Sequence, residues 1–195
     1  MSSGKKRTLC LLGSPRRQGN SDALASRFCE RAASHGAAVE RIALSDLSFG
    51  GCRNLFRCKT DLTHCGQADD LTPVLDSLHE APVLVLASPV YFTNVTGLLK
   101  SAIDRFFSFL VPDYPSKADK SRLSGGRTLV FVQVQGEPED RYRDLLDSYS
   151  ASFKLLGFEH QHLIRAWDVR EPGDVFAHAD FMKQCDAVAG DVYGR

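Results

Sequence analysis

Short apolar runs typical of strands alternate with helical patterns along the whole chain. Residues 8–13 (TLCLLG), 81–87 (APVLVLA) and 127–134 (RTLVFVQV) are nearly continuous apolar runs, as expected for parallel strands buried on both faces. Weaker strand patterns occur at residues 37–44 and 158–165. Apolar residues at helical spacing and helix stop signals predict helices over residues 21–35, 71–79, 95–110, 139–156 and 172–188.

This alternation predicts the fold class. Repeated strand, helix, strand units with right-handed crossovers produce a mostly parallel sheet covered by helices on both faces, which is a three-layer α/β sandwich. Five strands suggest the order 2-1-3-4-5. In such sheets a ligand binds outside the carboxyl ends of the strands where the order reverses, here between strands 1 and 3.

Composition excludes several other classes of protein. A chain of 195 residues with 43% hydrophobic residues can form a single domain over residues 1–195 without disulfides. Twenty-four basic and 24 acidic residues balance, so no nucleic-acid partner is expected. The short polar N-terminal segment, residues 1–7, is not typical of a secretion signal, and the longest apolar runs are about half the ~20 residues of a membrane helix. We therefore expect a cytoplasmic protein with no membrane partner and reduced cysteines.

The segment after the first strand, GSPRRQGNS at residues 13–21, has the features of an anion site. It enters a helix, so backbone N–H groups and the positive end of the helix dipole converge there. Four side chains can donate to an anion: Ser14, Arg16, Asn20 and Ser21. We also expect Asn20 or Ser21 to cap the helix. The alternative is an ordinary turn with a good cap, and the spacing fits neither GK[ST] nor GxGxxG phosphate loops.

Further motifs follow in a fixed order. Strand 3 is predicted to end at Ser88, where the segment SPVYF of residues 88–92 begins. TNVTGLLK follows at 93–100, and Asp104-Arg105 completes a K-x(3)-DR pattern. With GSPRRQGNS and a cysteine segment before them, these motifs make the chain resemble the NADPH-dependent FMN reductase and iron-sulfur flavoprotein family. The resemblance extends from strand 1 to the third helix.

The resemblance implies a flavodoxin-like fold with non-covalent FMN, reduced by NAD(P)H or by a protein donor. It implies a homodimer or higher homo-oligomer whose interface builds the flavin site. Ser14, Arg16, Asn20 and Ser21 match positions that hold the FMN phosphate. The residues that match the loop along the isoalloxazine are Pro89, Val90, Tyr91, Phe92 and Asn94.

Other residues near these motifs allow two interpretations each. Tyr91 and Phe92 offer aromatic stacking area, but ordinary packing at a strand end is the alternative, and it fits Phe92 better than Tyr91. Gly136, in the turn after strand 4, is expected in a third loop beside the flavin. Lys100, Asp104 and Arg105 are interpreted as structural or interfacial residues. No catalytic side chain is assigned, because the flavin carries the hydride chemistry.

The cysteine segment lacks one ligand of a standard cluster. Where iron-sulfur relatives resemble C-x2-C-x2-C-x(n)-C, this chain has Cys52, Leu55, Cys58 and Cys65. A [4Fe-4S] cluster takes four thiolates, so we expect no iron-sulfur cluster and no metal. One alternative is zinc held with His64, and another is a redox-active thiol beside Arg53 and Arg57. An inert cysteine loop is favoured.

Three functions are compatible with these features. The favoured one is an FMN-dependent NAD(P)H oxidoreductase that reduces a flavin, a quinone or a similar small-molecule acceptor. The alternative is a flavodoxin-like electron-transfer protein reduced by a partner protein without direct use of NAD(P)H. Such proteins are usually strongly acidic, so the neutral charge favours the enzyme. A third is a redox-sensing module, for which no particular partner is indicated.

Overall fold

A computed structural model describes residues 6–194, so most of the polar N-terminal segment and residue 195 lie outside it. The six strands are β1 Arg7–Leu12, β2 Ala38–Ala43, β3 Val83–Tyr91, β4 Asn94–Val95, β5 Thr128–Val134 and β6 His160–Ala166. The six helices are α1 Asn20–Ser34, α2 Arg57–Thr60, α3 Leu71–Ser77, α4 Gly97–Arg105, α5 Asp147–Leu155 and α6 Ala179–Tyr193. Within this part of the chain, no helix is long and apolar enough to cross a membrane.

The sheet order confirms the predicted fold class. Five strands pair in parallel in the order β2-β1-β3-β5-β6. That order is the expected 2-1-3-4-5 when only the parallel strands are counted. The sixth strand, β4, was not predicted: it has two residues and pairs antiparallel with the end of β3.

Two apolar cores lie on opposite faces of the sheet. Leu84 and Leu86 point into the core formed with α3, α4 and α5, whereas Val83 and Val85 point into the core formed with α1 and α6. This alternation on β3 follows from the two-residue period of a strand. Both faces are covered, so the strands read as continuous apolar runs, and the three-layer architecture is confirmed.

Three predicted boundaries are wrong, each for a local physical reason. Strand 3 does not end at Ser88, because its last residues pair with β4. The helix expected from residue 139 begins at Asp147, since the Gln135 side chain binds the carbonyls of residues 137, 138 and 141 and holds this segment as a loop. The last helix begins at Ala179 and not at 172, after Gly173 adopts a φ of 96°.

A buried threonine joins three elements beside the carboxyl ends of β1 and β3. The hydroxyl of Thr96 donates to the Gly13 carbonyl (2.6 Å) and accepts from the Leu99 N–H (3.2 Å), so Thr96 caps α4. Its own N–H donates to the Ser88 hydroxyl at 3.0 Å. A Cβ at Gly13 would lie 2.7 Å from the Leu99 Cβ, so only glycine fits there without a shift. These contacts fix the loop after β1 against α4.

We expect Thr96→Val to lower the free energy of unfolding by about 2 kcal/mol, because it leaves the buried Gly13 carbonyl unpaired and removes the α4 cap. Urea unfolding followed by circular dichroism measures the change. Thr60→Val is the control, since Thr60 is exposed on α2 and should cost less than about 0.5 kcal/mol. Equal unfolding free energies for wild type and Thr96→Val would contradict the assigned role.

Candidate functional site

A cavity lies at the carboxyl ends of β1, β3, β5 and β6, where the strand order predicts a ligand. It brings together eight of the ten residues proposed from the sequence: Ser14, Arg16, Asn20, Ser21, Pro89, Val90, Tyr91 and Gly136. Phe92 and Asn94 do not line it. The sequence analysis missed the loop after β6, which contributes Val169, Arg170 and Pro172.

The start of α1 leaves backbone donors open. Gly19 occupies the N-cap position and no side chain caps the helix, so the prediction that Asn20 or Ser21 is the cap is wrong. The first intrahelical bond runs from the Ala23 N–H to the Gly19 carbonyl at 3.0 Å. The N–H groups of residues 20–22 therefore have no acceptor within the helix. Such N–H groups, together with the helix dipole, stabilise an anion.

The Asn20 side chain makes contacts that the sequence analysis did not predict. Its amide nitrogen donates to the Glu171 carbonyl (2.8 Å), and its oxygen accepts from the Gly173 N–H (2.9 Å). Asn20 thus fastens the loop after β6 to the loop after β1, and one of the two hydrogens of its side-chain amide is used in this contact. Sequence patterns could not indicate this contact, because its two sides are about 150 residues apart in the chain.

Two arginines give the cavity a positive charge. Arg17 pairs with Asp46 at 2.7 Å, but among residues 6–194 no carboxylate forms an ion pair with Arg16 or Arg170. Of residues 6–194, those that line the cavity include no aspartate or glutamate. The Ser14 hydroxyl accepts from the Arg16 N–H at 3.1 Å, so its own proton remains available to a ligand. The arrangement suits an anion.

The other wall of the cavity is a hairpin. Pro89, Val90 and Tyr91 line the cavity, and 43% of the Tyr91 surface is exposed. Phe92 and Thr93 form the turn with φ values of 44° and 73°. Phe92 is fully exposed (101%), so the packing interpretation for it is wrong. The Asn94 side-chain oxygen accepts from the Val95 N–H and the Tyr149 hydroxyl, which holds it outside the cavity.

A buried ion pair organises the cysteine segment. The side chain of Arg105 is fully buried and donates to both carboxylate oxygens of Asp69 at 2.6 Å and to the Cys65 sulfur at 3.3 Å. Although burial raises the pKa of Asp69, hydrogen bonds from Arg105 and the Gly50 N–H hold it below its usual value. Lys100 and Asp104 form an exposed ion pair on α4. These contacts agree with the structural interpretation of all three α4 residues.

The proposed zinc ligands do not converge. Among residues 6–194, no three histidine, cysteine or acidic side chains lie close enough to hold a metal ion. Arg57, which the alternative of a redox-active thiol would place beside a cysteine, pairs with Asp61 at 3.0 Å. The cation that contacts Cys65 is Arg105, which the sequence analysis did not connect with the cysteines.

The sheet order and the anion loop after β1 define a flavodoxin-like protein. Residues 7–142 match the family model of NADPH-dependent FMN reductase, and the chain belongs to that family. This confirms the resemblance drawn from the motifs. The match ends before β6, so the loop that contributes Arg170 lies outside it.

Relatives and solved structures agree with this assignment. The chain is 31% identical over 130 residues to an iron-sulfur flavoprotein of Archaeoglobus fulgidus. The aligned residues are 67% of this chain and 56% of the relative. It is 23% identical over 128 residues to a putative NAD(P)H-dependent FMN-containing oxidoreductase of Bacillus subtilis, covering 62% of this chain and 69% of the relative. The chain spans about half the length of the iron-sulfur flavoproteins that it matches.

Two solved structures show the same fold. An FMN-dependent NADH-azoreductase from Bacillus anthracis superposes with a TM-score of 0.72 at 18% identity, covering 96% of this chain and 99% of that one. An NAD(P)H:quinone oxidoreductase from Methanothermobacter marburgensis gives a TM-score of 0.70 at 14% identity, with coverage of 97% and 98%. At these identities the likeness concerns the fold alone.

We expect Asp69→Asn to lower the free energy of unfolding by about 3 kcal/mol, because it leaves the buried Arg105 charge without its partner. Thiol labelling of Cys65 should also become faster, since Arg105 no longer holds the segment. The control is Asp104→Asn, which removes only an exposed ion pair and should cost less than about 0.5 kcal/mol. Equal losses in the two variants, or an unchanged labelling rate, would refute this role of Asp69.

The same ion pair predicts a pH dependence. The pKa of Asp69 lies below its usual value of 3.8, so the stabilisation is complete above about pH 4 and is lost as the pH falls through the lowered pKa. Asp69→Asn should therefore flatten the stability profile of the protein below pH 4.

Proposed function

We propose that the protein binds FMN non-covalently in this cavity and uses NAD(P)H to reduce a small-molecule acceptor. The observation that carries the proposal is the convergence of the uncapped α1, Arg16 and Arg170 on a cavity whose other wall is the β3–β4 hairpin. Membership of the NADPH-dependent FMN reductase family supports it.

The residues present fit the two ends of FMN. A terminal phosphate carries close to two negative charges at neutral pH, which suits two guanidinium groups, the open N–H groups of α1 and a lining without carboxylates. The flavin ring needs flat contact area at the open edge, which the partly exposed Tyr91 and the neighbouring Pro89 and Val90 provide.

The chain's own role is to bind and orient. When bound, FMN would supply the hydride and electron chemistry that no side chain of the cavity can perform. The described residues that line the cavity include no histidine, lysine, cysteine or carboxylate, so the hydroxyl groups of Tyr91, Ser14 and Ser21 are the only neutral side-chain groups of this lining that could pass a proton. The Thr96 contacts hold the two walls at a fixed separation, which positions the phosphate and the ring relative to each other.

The electron-transfer alternative uses the same cavity and differs only in the donor. The neutral charge supports direct use of NAD(P)H, since partner docking is usually steered by strong opposite charges. The small-molecule acceptor, the homodimer and the cytoplasmic location stay predictions.

Two measurements on the purified full chain test the proposal. We expect flavin absorption bands in the visible spectrum after loading with FMN and desalting. Mixing the flavin-loaded protein with NADPH or NADH without oxygen should bleach these bands faster than it bleaches free FMN. Bound flavin that NAD(P)H does not reduce would favour the electron-transfer alternative. Failure to retain any flavin would exclude both functions.

Arg16→Ala should weaken FMN binding about ten-fold or more, because a charge-assisted hydrogen bond to the phosphate is lost. Arg17→Ala is the matched control, since Arg17 is the next residue but pairs with Asp46 outside the cavity. Fluorescence titration of the flavin-free protein gives both dissociation constants. If the two variants weaken binding equally, the effect comes from the net charge of the loop and Arg16 does not contact the phosphate.

A further inference from the structure

The loop between β6 and α6 forms one side of the anion cavity, although it lies outside the family match. The match ends at residue 142, whereas Val169, Arg170 and Pro172 line the cavity together with the loop after β1. The two loops are joined directly. Asn20 binds the backbone of Glu171 and Gly173, and Arg16 donates to the Arg170 carbonyl at 3.5 Å.

The backbone around Arg170 is held in place. The N–H groups of Arg170 and Glu171 both donate to the Asp174 carboxylate at 2.8 Å, which closes a short turn. The side chain is also directed: its Nε donates to the Gly136 carbonyl at 3.1 Å. A Cβ at Gly136 would lie 3.0 Å from the Arg170 Cγ, so the absence of a side chain at Gly136 lets Arg170 pass close to the backbone.

The terminal nitrogens of this guanidinium remain available. Among residues 6–194, Nη1 and Nη2 of Arg170 have no hydrogen-bond acceptor, and no carboxylate pairs with the group. A guanidinium can use one N–H for positioning and present the other two nitrogens side by side to a phosphate. Arg170 therefore has the geometry of a ligand-binding residue that is oriented in advance by Gly136.

We propose that Arg170 is a second phosphate-binding arginine, which makes the site selective for a flavin with a terminal, doubly charged phosphate. This inference rests on the proposed function. One arginine and the N-terminus of a helix together suit a singly charged anion. The guanidinium of Arg170 would balance the second negative charge that a phosphate monoester carries. Riboflavin, which has no phosphate, gains nothing from Arg170.

The test compares FMN with riboflavin as probes on the flavin-free full chain. In Arg170→Ala we expect the dissociation constant for FMN to rise about ten-fold, and that for riboflavin to change less than about two-fold. Arg143→Ala is the control, because Arg143 pairs with Glu139 and does not line the cavity. It should change neither constant. If Arg170→Ala does not fold, Arg170→Gln replaces it in the test, because glutamine keeps a donor for the Gly136 carbonyl but carries no charge.

The pH dependence of FMN affinity distinguishes phosphate binding by Arg170 from a purely structural role, because a structural role would leave that dependence unchanged in the variant. The phosphate loses its second proton near pH 6, so the affinity of the wild type for FMN should rise between about pH 5 and 7.5. The rise should be clearly smaller in Arg170→Ala.

Gly136→Ala should also weaken FMN binding, because its Cβ would lie 3.0 Å from the Arg170 Cγ and would shift that side chain.

The outcomes separate this inference from the proposed function. If wild type binds FMN and Arg170→Ala binds it equally well, the inference is wrong and the proposed function stands. If FMN and riboflavin affinities fall together, Arg170 only supports the loop, and the inference is also wrong. If wild type binds neither flavin, both the inference and the proposed function are wrong.

Discussion

The hydroxyl of Thr96 is the contact on which the geometry of the site depends. It holds the Gly13 carbonyl at the end of β1 and the first turn of α4 at the same time, and its N–H reaches Ser88 near the end of β3. The anion loop begins at Gly13 and the hairpin wall begins at Pro89. Both walls of the cavity therefore start beside contacts of one buried residue, whose hydroxyl binds Gly13 and whose backbone N–H binds Ser88. A shift at this junction would change the distance between the phosphate end and the ring end of the ligand.

The second constraint is local charge. The chain carries equal numbers of acidic and basic residues, yet the cavity is lined by two arginines and no carboxylate. Pairing elsewhere produces this asymmetry: Asp46 engages Arg17, and Asp69 engages the buried Arg105. Arg16 and Arg170 form no such ion pair among residues 6–194 and remain available to a ligand. Because the chain as a whole is neutral, the two arginines act on a bound anion at short range and contribute little to steering a large charged partner. This charge balance supports the proposal of a small-molecule reductase.

The features that the sequence predicts well are those set by neighbours in the chain. Apolar runs such as residues 81–87 predict parallel strands, because a strand buried on both faces has apolar side chains at nearly every position. The GSPRRQGNS segment proposes an anion site because its donors lie close together in the chain, and the structure places Ser14, Arg16, Asn20 and Ser21 along one cavity. Contacts between distant segments leave no such pattern. Gln135 keeps residues 137–146 out of a helix through its side-chain amide, and Arg105 is directed to Asp69, on a loop 36 residues earlier. Helical spacing alone could not distinguish the buried Arg105 from its exposed neighbour Asp104.

Asn20 links a part of the site that lies within the family match to a part that lies outside it. The sequence proposes Asn20 as a phosphate donor of the motif loop, and in the structure its side chain also binds residues 171 and 173. The motif loop and the loop after β6 therefore act as one unit. The first lies within the family match and the second lies outside it. Asn20 forms hydrogen bonds only with the backbone of the loop after β6. Side chains of that loop can therefore be substituted without altering the strand ends or the start of α1. Selectivity for the phosphate can thus vary through residue 170 while the motif that forms the anion loop stays the same.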